Sequence, residues 1–236
     1  MPSHTYIRIG RYADATRVNQ AALQADVKLA EAIRAQGGQA KGNWDFHHLH
    51  FLWFAASMDG QGRVAIDAAR RFAAKVDGWQ RFKGGWRANL AQELPWLAMV
   101  QAQRWQEVLD AEMPSFWLRH ERAVAHFARG MAQAQGKKNA AEAQRELTQL
   151  EHLAHRGDGD AVDKAAPMLR MAVASLRGEV AWARGERDEA LRWLKKAQAL
   201  EREIDGGEVA SFGALTAPAL GSALLAVNRP VDAEAV

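Results

Sequence analysis

A short string recurs along this chain: Gly10-Arg11-Tyr12-Ala13-Asp14-Ala15 near one end, and Gly185-Glu186-Arg187-Asp188-Glu189-Ala190 near the other. In each, the glycine opens a backbone conformation closed to most residues, and the alanine five positions on leaves room for a close helix contact. The pattern predicts a tight turn between two helices. Its recurrence predicts a series of helical hairpins, because one such unit cannot bury its apolar face alone.

The rest of the chain agrees with a helical reading. Alanine, leucine, arginine and glutamine are abundant and β-branched residues are sparse, which favours helix over strand. Tyr12, Ala15, Val18, Ala22 and Leu23 lie three or four apart, so a helix is predicted from about 11 to 34. Further helices are predicted near 45–60, 63–76, 87–102, 104–112, 116–135, 137–156, 163–184, 187–204 and 217–227, with Pro95 bending the third of these and Thr216 capping the last. Segment 77–86 reads as a connector. The turns fall near 10, 61, 103, 136, 185 and 228, a mean spacing of a little over 40 residues. Trp53, Trp105, Trp182 and Trp193 supply bulk between the helices. The expected fold class is all-α: an α-solenoid of antiparallel helical hairpins spanning 1–236 as one array. Its first turn lies only ten residues in, and Asn228-Arg229-Pro230-Val231-Asp232-Ala233 opens one more hairpin at the other end. The expectation is therefore a segment of a longer repeat protein, truncated at both ends.

Charge and composition exclude several roles. A net charge of +3, from 31 basic and 28 acidic groups, gives little long-range attraction to nucleic acid once salt screens it. With no cysteine, disulfides and thiolate metal sites are excluded, but the compartment stays open. No apolar run reaches the 18 or so residues of a membrane span, and Met1-Pro2-Ser3-His4-Thr5-Tyr6 lacks the pattern of a signal peptide. No membrane partner is expected, and a cytoplasmic location is the default.

The turn motifs at Gly10–Ala15 and Gly185–Ala190 resemble those of tetratricopeptide repeat proteins. Met1-Pro2-Ser3-His4 and His47-His48-Leu49-His50-Phe51-Leu52 resemble the Met-Pro-Ser-His and His-Asn-x-His-Phe-Leu stretches of a group of large bacterial members. His47 and His50 match that group's two histidines, while His48 stands where the group has asparagine. The resemblance implies a tetratricopeptide-like superhelix; it names a fold more than a function.

The chemistry-bearing candidates are His4, His47 and His50. Positions three apart share a helical face, so His47 and His50 are placed to bind one metal ion, such as zinc or copper, or one anion. His48 points about 100° away. His4 lies in the preceding first helix, roughly 6 to 9 Å from the level of His50 along the axis. The alternative is that these histidines hydrogen-bond in a wet groove or cap the helix start. His152 and His155 also share a face, on an otherwise polar helix, and read as solvated. Asp158-Gly159-Asp160 is not a calcium loop, since Leu169 stands where the bidentate glutamate belongs. Ser3-His4 is not a nucleophile–base pair by adjacency alone. Arg81, Lys83 and Arg87 among Trp79, Phe82 and Trp86 mix cations with aromatics as single-strand binders do, yet in a connector the rings dock inward. Two functions stand against each other: a scaffold binding a protein, peptide or small ligand in its inner groove, and a metal-dependent enzyme or metal-binding protein built on His4, His47 and His50.

Overall fold

The computed structural model describes residues 2–39, 44–76, 85–155, 167–204 and 215–236. They form twelve α-helices and one π-helical turn, with no strand among the described residues. The chain divides into two compact units, Met1–Ala98 and Met99–Val236. The first holds α1 (Pro2–Arg8), α2 (Tyr12–Ala35), α3 (Trp44–Met58), α4 (Gly62–Ala74) and most of α5 (Trp86–Gln101). The second holds α6 (Trp105–Asp110), α7 (Arg119–Met131) with π-helical Ala132–Gly136, α8 (Ala140–His155), α9 (Pro167–Ala183), α10 (Arg187–Ile204), α11 (Thr216–Ala226) and α12 (Pro230–Glu234).

Among the described residues one left-handed turn geometry leads directly from one helix into the next six times. Gly10, Gly60, Gln103, Lys138, Gly185 and Asn228 all have φ between 52° and 84°. In five of the six turns the next residue's N–H reaches back over five residues, as in Arg11 N to Tyr6 O (2.8 Å), Gln61 N to Ala56 O (2.8 Å) and Glu186 N to Ala181 O (3.0 Å). This is the Schellman arrangement, which satisfies carbonyls left open at a helix end. That same residue then accepts the first bond of the following helix: Ala15 N donates to Arg11 O, and Ala190 N to Glu186 O. In five of the six turns the fifth residue after the left-handed one is buried: Ala15, Ala65, Val108, Ala143 and Ala190 are each at most 1% exposed, and Ala233 in the sixth is part-buried. Arg11, Arg104 and Arg229 brace their turns by bonding Asp14, Glu107 and Asp232, three residues on.

Packing follows the turns. In the first unit α1 packs on α2, α2 on α3 and α3 on α4. Helix α3 is apolar nearly all round, with Leu49, Phe51, Leu52, Trp53, Ala55 and Ala56 buried, as a helix enclosed by neighbours must be. In the second unit α9 takes that enclosed place, packing on α7, α8 and α10. Its approach to α10 is close at Gly178, where a Cβ would lie 2.7 Å from Leu194 Cγ and 3.3 Å from Ala190 O.

Three boundaries differ from the sequence expectation. Helix α7 begins at Arg119, because Leu118 N closes a turn on Ser115 O and Arg122 Nη1 donates to Pro114 O. Phe116 and Trp117 therefore sit outside it, 65% and 67% exposed. The left-handed residue of the fourth turn is Lys138 rather than Gly136. Gly136 instead ends the π-helical turn, where a Cβ would strike Trp105 at 2.7 Å. Thr216 does not cap α11 from outside; it is the first helical residue, buried, and its hydroxyl donates to Glu201 of α10.

The turn geometry and the Gly178 contact set two expectations for urea unfolding. Gln103→Gly is expected to add about 0.5–1 kcal/mol by relieving a left-handed side-chain conformation. Gly178→Val is expected to cost about 2–3 kcal/mol by overpacking α9 against α10. An unchanged midpoint for Gly178→Val would refute that close approach.

Candidate functional site

The first unit gathers the predicted histidines on α3, but it does not treat them alike. His4 of α1 and His47 of α3 lie with ring centroids 5.2 Å apart and planes within 24°. Phe51, one turn from His47, lies 4.4 Å from each ring. The three rings form one aromatic cluster joining α1 to α3, with Phe51 buried and the two imidazoles part-exposed.

His50 turns its ring onto Trp53 at 5.7 Å with planes within 6°, and toward Phe72 of α4 at 6.2 Å. His48 is buried, and its Nδ1 lies 2.7 Å from Asp26 Oδ2 of α2. Adjacent histidines thus serve different helix contacts, as the roughly 100° step per residue requires. His4 and His47 are brought together by the fold, and His50 faces the α4 side. No group of three or more His, Cys, Asp or Glu able to hold a metal ion occurs among the described residues. Two imidazoles would leave the remaining positions of a tetrahedral ion to ligand or water.

Ser3, beside His4, is buried and its Oγ accepts from Asn19 Nδ2 at 2.6 Å. It is a structural link between α1 and α2. Arg87 stacks at 5.0 Å over Phe46, while Trp79, Arg81, Phe82 and Lys83 of the same basic-aromatic stretch, and Asp158-Gly159-Asp160, lie outside the described residues. His152 is exposed, as expected of a solvated helix face.

The second unit holds polar groups that periodicity did not single out. His126 Nδ1 lies 2.7 Å from Glu146 Oε2, and Arg129 Nε donates to Glu146 Oε1 at 3.0 Å. Arg129 Nη1 also donates to Leu109 O at 2.9 Å, tying α6, α7 and α8 together. Burial pushes the Glu146 carboxyl upward, but the bonds from His126 and Arg129 outweigh it and hold the group below its ordinary range. Glu179 on α9 is the opposite case. It is 7% exposed, and burial pushes it up to about 7 against a weaker pull from a Gln135 hydrogen bond.

A cleft of about 460 Å³ opens where α8, α9 and α10 meet. Leu147, Val180 and Ala181 contribute apolar lining, and Trp193 of α10 contributes an aromatic wall. Arg177 lies 4.5 Å over the Trp193 ring while its Nε donates to Glu151 Oε1 at 2.7 Å. Arg184 donates to Gln144 Oε1 at 2.9 Å. Trp193 Nε1 donates to Glu189 Oε1 at 2.5 Å. Trp193, expected as filler between helices, is half-buried at this cleft instead. The seven-residue spacing of Arg177 and Arg184 was the available signal, since it puts both on one face of a helix.

The Glu179 shift gives a signed prediction. The folded carboxyl keeps its proton to about pH 7, whereas its ordinary value is 4.5. Its contribution to stability is therefore full below about pH 4.5, falls as pH rises through the interval, and levels off above about 7. Glu179→Gln is expected to exceed wild type by about 3 kcal/mol at pH 8, with a smaller difference at pH 5. Equal differences at the two pH values, read from urea unfolding, would remove the assignment.

Compared with known proteins, the chain matches no protein-family model, no curated protein and no solved structure.

Proposed function

We propose that this chain is a tetratricopeptide-like repeat scaffold whose first helices present a groove for a protein, peptide or small ligand. The observation that carries the reading is the sixfold recurrence of one left-handed turn, followed each time by a small residue at the fifth position. Such turns make hairpins, and stacked hairpins create extended binding surfaces. Packing of α7 against α9 supports it, since these are the helices that precede successive turns. Near-balanced charge and mixed polar surfaces fit a protein or peptide better than nucleic acid.

Panning a displayed random 12-residue peptide library on the intact chain tests this reading. Selected peptides are expected to bind with Kd below about 100 µM and to weaken about tenfold when first-helix residues such as His47 or Arg170 are changed to alanine. Failure to select any peptide, or selected peptides indifferent to those changes, sinks the scaffold reading.

A second reading has its own observation, the approach of His4 and His47 to 5.2 Å. In it the two imidazoles bind a divalent ion such as zinc or copper. Calorimetry with zinc and copper alone is expected to give one site per chain that is lost in His4→Ala and in His47→Ala. His50→Ala is expected to leave that site largely intact, because the His50 ring lies against Trp53 and Phe72. No heat with either metal, or equal uptake by all the variants, ends this reading.

A further inference from the structure

The α8–α9–α10 cleft carries an inference that depends neither on the array reading nor on the histidines. Its lining is amphoteric. Arg177 on α9 and Arg184 just beyond its end face three carboxylates, Glu151, Glu186 and Glu189, on and beside the flanking helices. Three of these charges are already committed. Arg177 is paired with Glu151, and Glu189 is held by Trp193 and Arg192.

Two charges are not so committed. Arg184 is exposed and bonds only a neutral amide, Gln144. Glu186 is exposed, and among the described residues no side chain pairs with its carboxylate. They stand two residues apart at the turn between α9 and α10, at one end of the apolar lining of Leu147, Val180 and Ala181.

A polyanion brought here meets three carboxylates, and a polycation meets two guanidiniums. Either ligand places like charges together, which works as discrimination against both. A peptide backbone, by contrast, needs donors and acceptors alternately, and this lining supplies both. The volume of about 460 Å³ lies within the range of small-ligand sites. We propose that the cleft binds a short peptide segment in which an apolar side chain is flanked by one acidic and one basic residue. The apolar side chain seats on Leu147 and Val180 beside Trp193; the acid pairs with Arg184 and the base with Glu186.

The test is fluorescence polarisation with labelled five-residue peptides of core Glu-Leu-Lys and Lys-Leu-Glu, against Glu-Leu-Glu, Lys-Leu-Lys and Glu-Gly-Lys controls. One mixed-charge order is expected to bind about tenfold tighter than either like-charged peptide and than the glycine control. Arg184→Glu and Glu186→Arg are each expected to remove that advantage, and the double exchange to restore it for the opposite order. Both positions are exposed turn residues, so unchanged thermal unfolding is the expected control. Equal binding by all five peptides, no binding of a mixed peptide below about 1 mM, or variants that bind as wild type does would each overturn the proposal. Retained cleft binding after first-helix substitutions such as His47→Ala separates this result from the fate of the scaffold reading.

Discussion

Everything in this structure hangs on a single left-handed residue between two helices. At Gly10, Gly60, Gln103, Gly185 and Asn228 the residue after it closes the earlier helix through its N–H, and its carbonyl opens the later one. One residue thus acts as both terminator and cap, leaving no slack in the connection. The two helices must diverge at once and still touch, so the fifth position tolerates only a small side chain. Glycine relieves the turn at three positions, but Gln103, Lys138 and Asn228 adopt the same conformation with side chains. A local cost of roughly 1–2 kcal/mol per residue is carried because hydrogen bonds and buried contacts on both sides determine it.

Close helix contact then dictates where polar groups can lie. Buried polar side chains need partners, and here those partners come from the adjacent helix. Asn19 reaches Ser3, His48 reaches Asp26, and His126 and Arg129 converge on Glu146. Each link joins helices on either side of a turn or connection, so polar pairing fixes which hairpin faces meet. Glu179 departs from this rule: it has an amide for a partner and retains its proton to about pH 7. Keeping the carboxyl neutral is the physical alternative to giving it an ion.

The turns at Gly10, Gly60 and Gly185 were legible in sequence from their glycines, and the α10 limits, 187–204, agree with its apolar stripe. The fourth turn was misplaced by two residues. Gly136 looked like the turn glycine, yet it is small because Trp105 lies against it, a contact between segments 31 residues apart in sequence. The histidines were found by type and spacing, but their partners were not. Helical periodicity gives directions around one axis, and which neighbour lies in each direction depends on the crossing of helices. That is why His4, His47 and His50 read from the sequence as one cluster, whereas the His4 ring meets His47 and the His50 ring lies against Trp53. Glu179 and the Arg177–Trp193 contact had no signature beyond residue type, since each arises from three helices meeting at once.

Helix α9 shows how one element keeps a buried face and a cleft face apart. At 100° per residue, Arg177 and Arg184 fall within about 20° of each other, while Glu179 falls about 200° from Arg177. The guanidiniums look into the cleft with α8 and α10, and Glu179 meets Gln135 in the π-helical turn after α7. A charge placed on the Glu179 side is buried and governs folding through its proton. On the cleft side it meets water and the opposing walls, where a ligand's charge substitutes for solvent. The enclosed helix therefore separates stability from recognition by angle alone, so changes at Arg184 or Glu186 alter what the cleft accepts while the α7–α9 seam remains as it is.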